Sequence, residues 1–255
     1  MDETLYAGSA PYYAVGRMPY PQEVADALRR ELGLDGTGRL LDVGCGPGSL
    51  TRLLAPLFAA TVGIDADAGM LAAAPAVPGV TWRRMRAEEL PGDLGTFRVV
   101  TFAQSFHWMD RQRVAGLVRP MLEAGGAWVH VGAITHRGRV QAGAPPYDEI
   151  DALIARYLGP VRRAGQGLLP GGTLGGEEDV MRAAGYRGPA RLVVGGDTAV
   201  ERSTDEVVAA VFSLSNAAPH LFGERLADFE RDLRALLGGG PFTEHTHPVE
   251  LVIWS

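Results

Sequence analysis

The sequence predicts an α/β fold built on a doubly wound parallel sheet, with helices on both faces. Three observations carry that expectation. Short apolar runs alternate with helical stretches through the first half of the chain, the runs "VVTF" and "WVHV" are apolar on both faces, and "LLDVGCGPGSLTRLL" passes from a strand through a glycine-rich turn into a helix.

Strands are expected at Arg39–Val43, Thr61–Ile64, Val80–Arg84, Arg98–Phe102 and Ala127–Val131, where β-branched and apolar residues gather in short runs. A helix at Gln22–Leu32 precedes the first strand, and helices at Ser49–Phe58, Asp67–Ala73 and Arg111–Met121 connect the others. Alternation of this kind implies right-handed crossovers and parallel pairing. After residue 132 the rhythm changes. "PPYDEIDALIARYLG" and "EEDVMRAAGY" read as helices, "ARLVV" as a strand, and "STDEVVAAVFSLSN" and "GERLADFERDLRALLG" as two more helices. Ser203 and Glu206 form a capping box that sets one helix start. Leu226, Phe229, Leu233 and Leu236 recur at helical spacing as a core-facing stripe. The closing "PVELVIWS" reads as a strand returning to the sheet edge, so residues 204–238 form a helical insertion placed to act as a lid. The expected organisation is a covering segment and first helix over 1–35, a core over 36–203 and 239–255, and the insertion over 204–238.

Composition excludes several classes of function. The 255 residues, 46% hydrophobic, suffice for a full core. All 24 cationic residues are Arg, so lysine Schiff-base chemistry and a Walker A lysine are ruled out. A net charge of -6 argues against a nucleic-acid partner. Cys45 is the sole cysteine, and His220, His245 and His247 are dispersed, so neither a disulfide nor a metal site is expected. No apolar run reaches the roughly 18 residues of a membrane span, and "MDETLYAGSAPYY" lacks the regions of a secretion signal. A cytoplasmic protein is expected, as a monomer or homodimer.

The glycine turn is the strongest functional signal. Gly44, Gly46 and Gly48 allow close approach of a ligand to the backbone, at the start of a helix with unpaired N–H groups. The spacing is G-x-G-x-G with Pro47 inside it, not the G-x-G-x-x-G of dinucleotide sites. Asp42, two residues before the first glycine, would repel a pyrophosphate and suits an ammonium or sulfonium. Asp65, at the end of "TVGID", stands where a carboxylate accepts hydrogen bonds from both ribose hydroxyls.

On these residues the chain resembles the class I S-adenosylmethionine-dependent methyltransferases, in particular a small-molecule subgroup with His-Trp after strand four. "LLDVGCGPG", "VGIDADAGML", "AEELP" and "VVTFAQSFHWMD" are similar to its successive motifs, "LEAGGAWVHV" to the next turn and strand, and "YYAVGRMPYP" to a segment folding over the cofactor. The resemblance implies a seven-stranded sheet with an antiparallel last strand, S-adenosylmethionine as cofactor, and methyl transfer to O, N or C of a small molecule in specialised metabolism. It implies that Gly44, Cys45, Gly46 and Gly48 form the cofactor turn and that Asp42 lies near the amino group. It further implies that Asp65 and Ala66 border the ribose, Met70, Ala87 and Glu88 the adenine, and that Gln104 closes the site. Arg86 stands where many relatives carry Asp or Thr, and Met18 replaces a common proline. A nicotinamide-dependent oxidoreductase and a cofactor-fold protein without methyl transfer are the alternative readings.

His107 is the candidate base, at the end of strand four facing the acceptor, or else it pins the loop to a helix capped by Asp110. Arg17 is a candidate clamp on the cofactor carboxylate, or a surface ion pair, and Tyr13 is a candidate cofactor contact or acceptor-pocket aromatic. Tyr12, Trp108 and Tyr147 are candidate acceptor-pocket aromatics, or packing.

Overall fold

The computed structural model describes residues 5–161, 163–164, 167–168 and 175–255. In chain order its main elements are α1 (Ala10–Gly16), α2 (Gln22–Leu32), β1 (Arg39–Val43), α3 (Ser49–Leu54), β2 (Ala60–Asp65), α4 (Ala68–Ala72), β3 (Val80–Arg84) and β4 (Phe97–Ala103). Then follow α5 (Arg111–Val118), β5 (Leu122–Gly132), α6 (Tyr147–Leu158), α7 (Glu177–Ala183) and β6 (Ala190–Val194). The last part of the chain gives β7 (Ala199–Arg202), α8 (Thr204–Phe212), α9 (Leu226–Leu237), β8 (Phe242–His245) and β9 (Val249–Trp254). Among the described residues the main sheet has seven strands in the order β3-β2-β1-β4-β5-β9-β6. Pairing is parallel from β3 to β5, and β9 runs antiparallel to both β5 and β6. This is the doubly wound architecture that the sequence predicts, with the reversed last strand that the resemblance implies.

Each face of the sheet has its own core. Leu40, Val99 and Val129 pack with Val24 and Leu28 of α2 and Leu50 and Leu54 of α3. Leu41, Val100 and Trp128 pack with Val114 and Val118 of α5 and Met181 of α7. Alternate residues of a strand serve opposite faces, which is why the central strands read as unbroken apolar runs.

Several boundaries differ from the sequence expectation, each for a local reason. The Ser49–Phe58 helix ends as an α-helix at Leu54 and closes as a 3-10 turn containing Pro56. The Arg111–Met121 helix likewise gives way at Val118 to a 3-10 turn containing Pro120. In both, the proline ring obstructs the carbonyl four residues back and supplies no N–H. Strand β5 starts at Leu122, before the expected Ala127, because Leu122 pairs with Phe97 ahead of a register shift that holds Gly125 at φ +73°. In α9 the buried stripe runs through Phe229, Leu233 and Leu237, while Leu236 is exposed.

The second half of the chain builds a third core. Ile150, Leu153 and Ile154 of α6 pack with Val207, Val211 and Phe212 of α8 and Phe229 and Leu233 of α9. The segment expected as an insertion therefore shares its interior with α6. Strands β7 and β8 pair antiparallel at its base, a ribbon with no counterpart in the sequence expectation. Ser203 caps α8 reciprocally with Glu206, as the capping box predicts. Helix α1 lies against α8, so close at Gly16 that a Cβ there would fall 2.2 Å from the Ala210 nitrogen. Residues 1–4 of the expected covering segment lie outside the described residues.

Candidate functional site

The carboxyl ends of β1, β2 and β4 meet at a pocket, where the sheet order turns from β1 toward β2 on one side and β4 on the other. Tyr13, Gly44, Gly46, Asp65, Met70 and Gln104 line it, and all six belong to the expected cofactor set. Leu5, Tyr6, Asp67, Ala103 and Ser105 line it too and were not expected. The signal for Asp67 is visible in "IDADAG", a second carboxylate two residues after the first. Leu5 and Tyr6 carry no periodic or motif signal.

The glycine turn is held from below. Asp65 Oδ2 accepts from the Gly46 N–H at 2.8 Å and Oδ1 from the Asp67 N–H at 2.9 Å. Each carboxylate oxygen retains a second lone pair, so Asp65 orders the loop and still has acceptor capacity toward the pocket. Asp67 caps α4 by accepting from Gly69 N–H at 2.7 Å and Met70 N–H at 3.2 Å, which fixes the buried Met70 beside the pocket. At Gly46, with φ +54°, an added Cβ would meet nothing within 4 Å, so the bare backbone leaves open room for a ligand. Gln104 holds φ +53°, rare for a residue with a side chain, at the end of β4. Ser105 beside it donates to the Val43 carbonyl at 2.6 Å and ties β4 to β1.

Other expected cofactor residues serve the walls. Asp42 is buried beneath the turn, where it accepts from Thr51 Oγ1 at 2.5 Å and Thr101 Oγ1 at 2.8 Å. The structure thus gives Asp42 to internal hydroxyls and not to the pocket lining. Gly48, at φ +80°, makes room for a ring: its Cβ would lie 2.3 Å from Trp82 Cη2. Cys45, Ala66 and Ala87 are buried, and burial pushes the Cys45 thiol well up. Glu88 Oε1 accepts from the Asp110 N–H at 3.1 Å, linking the turn after β3 to the start of α5. Arg17 Nε and Nη2 donate to Ser213 Oγ and O at 2.7 and 2.8 Å, and its guanidinium lies 4.7 Å from the Tyr13 ring centre. This fork fastens α1 to the end of α8, so the expected clamp on a cofactor carboxylate is here a latch.

The expected catalytic and acceptor residues separate. His107 lies on the 3-10 turn Phe106–Trp108, half-buried against Trp108 with ring centres 4.5 Å apart, outside the pocket lining. Asp110 caps α5 through the Arg113 N–H at 3.1 Å. Tyr12 turns to Phe212 of α8, ring centres 5.0 Å apart. Tyr147 is buried and donates its hydroxyl to Glu244, which commits it to an internal network. Among the described residues no group of His, Cys, Asp and Glu is arranged to hold a metal ion.

The electrostatics follow from burial. Desolvation drives the Asp42 carboxyl up to about 6, against the opposing bonds from Thr51 and Thr101, and Asp65 nearby adds to the rise. Asp65 is shifted upward as well, again by burial first. The folded state therefore binds these protons more tightly than the unfolded chain. Their contribution favours folding at low pH and is lost as pH rises from 3.8 through about 6. Urea unfolding is expected to show that decline, and Asp42→Asn to flatten it in part, with Asp65 supplying the remainder. An unchanged slope in Asp42→Asn would remove Asp42 as its source.

Comparison with known proteins fits this geometry. Residues 40–126, from β1 into β5, match a family described as a methyltransferase domain. An uncharacterized methyltransferase of Schizosaccharomyces pombe is 34% identical over 99 residues, 36% of this chain and 36% of that protein. The matched region thus spans about a third of that relative's length. A candidate type II methyltransferase from Anaeromyxobacter dehalogenans shares the fold with TM-score 0.50 and 23% identity, over 93% of this chain and 95% of that one. A candidate methyltransferase from an antibiotic biosynthesis pathway of Anabaena variabilis aligns with TM-score 0.55 and 13% identity, over 94% and 99% of the two chains.

Proposed function

We propose, from a chain that carries a methyltransferase domain on the Rossmann-like methyltransferase fold, that the protein transfers a methyl group from S-adenosylmethionine to a small-molecule acceptor in specialised metabolism. One observation carries this reading beyond the family. The charged residues that line the pocket are Asp65 and Asp67, and among the described residues no cation lines it. A pyrophosphate would meet repulsion there, whereas a ligand bearing ammonium and sulfonium charges is attracted. Tyr6 and Tyr13, with ring centres 6.1 Å apart, add negative ring faces of the kind that favour cations.

The residues present fit the cofactor. Asp65 would accept from the ribose hydroxyls, Met70 and Leu5 offer apolar contact for a base, and Gly44 and Gly46 present backbone to the amino-acid part. When bound, S-adenosylmethionine supplies a methyl group already activated by its sulfonium. The chain's own task is then to hold the acceptor in line with that methyl and to exclude water. Helices α1, α8 and α9 are the proposed cover, and His107 the proposed proton acceptor. The net charge of -6 supports a small molecule over nucleic acid as acceptor. Among the described residues no helix is long and apolar enough to cross a membrane. We take the protein to be cytoplasmic and a monomer or homodimer.

The test is direct. S-adenosylmethionine is expected to raise the melting temperature while NAD does not. Asp65→Ala is expected to weaken S-adenosylhomocysteine binding in calorimetry by about 2–3 kcal/mol. Asp65→Asn, which keeps the size and an acceptor oxygen, separates loss of the charge from collapse of the loop. Wild-type affinity in both variants would overturn the assignment of Asp65.

A further inference from the structure

A second cavity, a groove of 710 Å³, opens between α1, the start of α3 and the chain that follows α4. Its volume lies in the range of small-molecule sites. Tyr20, Leu53 and Val77 give it apolar walls, Ser49 a hydroxyl, and Arg17 and Arg52 two guanidinium groups. Among the described residues no carboxylate lines it, in a chain of net charge -6.

Neither positive charge is cancelled within the protein. Among the described residues Arg52, on the exposed side of α3, has no hydrogen-bond or ion-pair partner. Arg17 donates from Nε and Nη2 to Ser213 Oγ and O, and from Nη1 to Thr135 Oγ1 at 3.5 Å, all neutral partners. A guanidinium has five N–H groups, so one on each terminal nitrogen of Arg17 is left over. Two such cations beside apolar walls attract an anion from solution.

The groove backs on to the cofactor pocket without opening into it, and the two share no lining residue. On α1, Tyr13 lines the pocket while Ala14 and Arg17 line the groove. On the glycine turn, Gly46 lines the pocket while Pro47 and Ser49 line the groove. The Arg17 guanidinium lies 4.7 Å from the Tyr13 ring centre, so its charge sits against the wall that divides them. Tyr20 is a second link. Burial first, then Tyr13 and Asp42, push its hydroxyl up, with Arg17 opposing, so it stays a neutral donor.

We propose that this groove binds an organic anion, a carboxylate or phosphate on an apolar body of about ring size, as an effector and not as the methyl acceptor, from which α1 and the glycine turn divide it. The head group takes the free N–H groups of Arg17 and the guanidinium of Arg52, and the body lies on Tyr20, Leu53 and Val77. Because the anion cancels positive charge beside Tyr13, it favours a cation in the pocket, and the coupling is reciprocal. The coupling rests on the methyl-transfer reading; the anion site does not.

The test is calorimetric titration of the whole chain with benzoate, phenyl phosphate and benzamide, the neutral counterpart of benzoate. One anion or both are expected to bind, and benzamide about tenfold more weakly or not at all. Binding of one anion without the other identifies the head group. Arg52→Gln and Ala73→Trp, which places a ring in the groove, both at exposed positions, are each expected to weaken anion binding about tenfold. With S-adenosylmethionine saturating, the anion is expected to bind more tightly than to the free chain. Equal binding of benzamide, no binding of either anion, or unchanged affinity in both variants would overturn the site. Loss of anion binding on adding S-adenosylmethionine would overturn it too, by placing the anion in the cofactor pocket, and equal affinity with and without S-adenosylmethionine would overturn the coupling. Failure of S-adenosylmethionine to bind the wild-type chain would instead strike the methyl-transfer reading, and the titrations of the free chain would still decide the site.

Discussion

Glu244→Ala is expected to destabilise the protein by about 3–5 kcal/mol, the usual cost of leaving one partner of a buried ion pair alone. Glu244 is 0% and Arg202 3% exposed, with Nη1 of the arginine 3.1 Å from Oε2 of the glutamate. The further bonds of the pair reach four other elements. Glu244 Oε1 accepts from the Gly138 N–H at 2.5 Å and from the Tyr147 hydroxyl. Arg202 donates to the carbonyls of Gly16, Glu206 and His136 at 2.7, 2.8 and 3.1 Å. The network thus joins α1, α6, α8, the β7–β8 ribbon and the loop after β5. Its loss should lower the melting temperature by about 10 °C or more in a chain of this size. Tyr147→Phe removes one bond and leaves both charges paired, so its expected cost is nearer 1–2 kcal/mol. Asp228→Ala at the exposed pair with Arg231 is the control, with no measurable change expected. A Glu244→Ala protein that melts with the wild type would show that the pair is not what holds these elements together.

That network was invisible in the sequence, and the reason is physical. Arg202 and Glu244 are 42 residues apart, on strands of 4 residues each whose charged residues carry no apolar alternation. Only their pairing in space makes them partners. The sheet itself was legible because each central strand buries both faces and so is largely apolar, a property written locally. The glycine turn was legible for a related reason: φ near +54° at Gly46 and the packing of Trp82 on Gly48 restrict residue choice one position at a time. What those residues do was less legible. Gly48 makes room for tryptophan and Asp42 for two threonine hydroxyls, two roles that a pattern of glycines and acids does not separate from ligand contact. Tyr12 and Tyr147 show the same ambiguity for aromatic residues, which serve as pocket lining or as packing according to contacts set by distant elements. His136 drew no expectation at all, since a lone histidine beyond a strand end acquires meaning only when α6 and the end of α8 close around it.

His107→Ala is expected to lower turnover by about 100-fold or more while leaving S-adenosylhomocysteine affinity unchanged, because help from a general base is realised in the transition state. The other histidines near this edge of the sheet are poorly suited to the role. Burial and the surrounding cations push His136 down to about 3, so it accepts a hydrogen bond at neutral pH without the basicity to take the proton. His130 is pushed down to about 4 by burial, and its Nε2 accepts from Trp128 Nε1 at 2.9 Å. His107 stands two residues after Ser105, which lines the pocket at the ends of β1, β2 and β4, on a turn held by the Trp108 N–H to Ser105 carbonyl bond at 3.1 Å and the Met109 N–H to Phe106 carbonyl bond at 3.1 Å. A His107→Ala enzyme that keeps its rate would remove His107 from the chemistry. Positioning beside the methyl group would then suffice, as it does for an acceptor that is already nucleophilic.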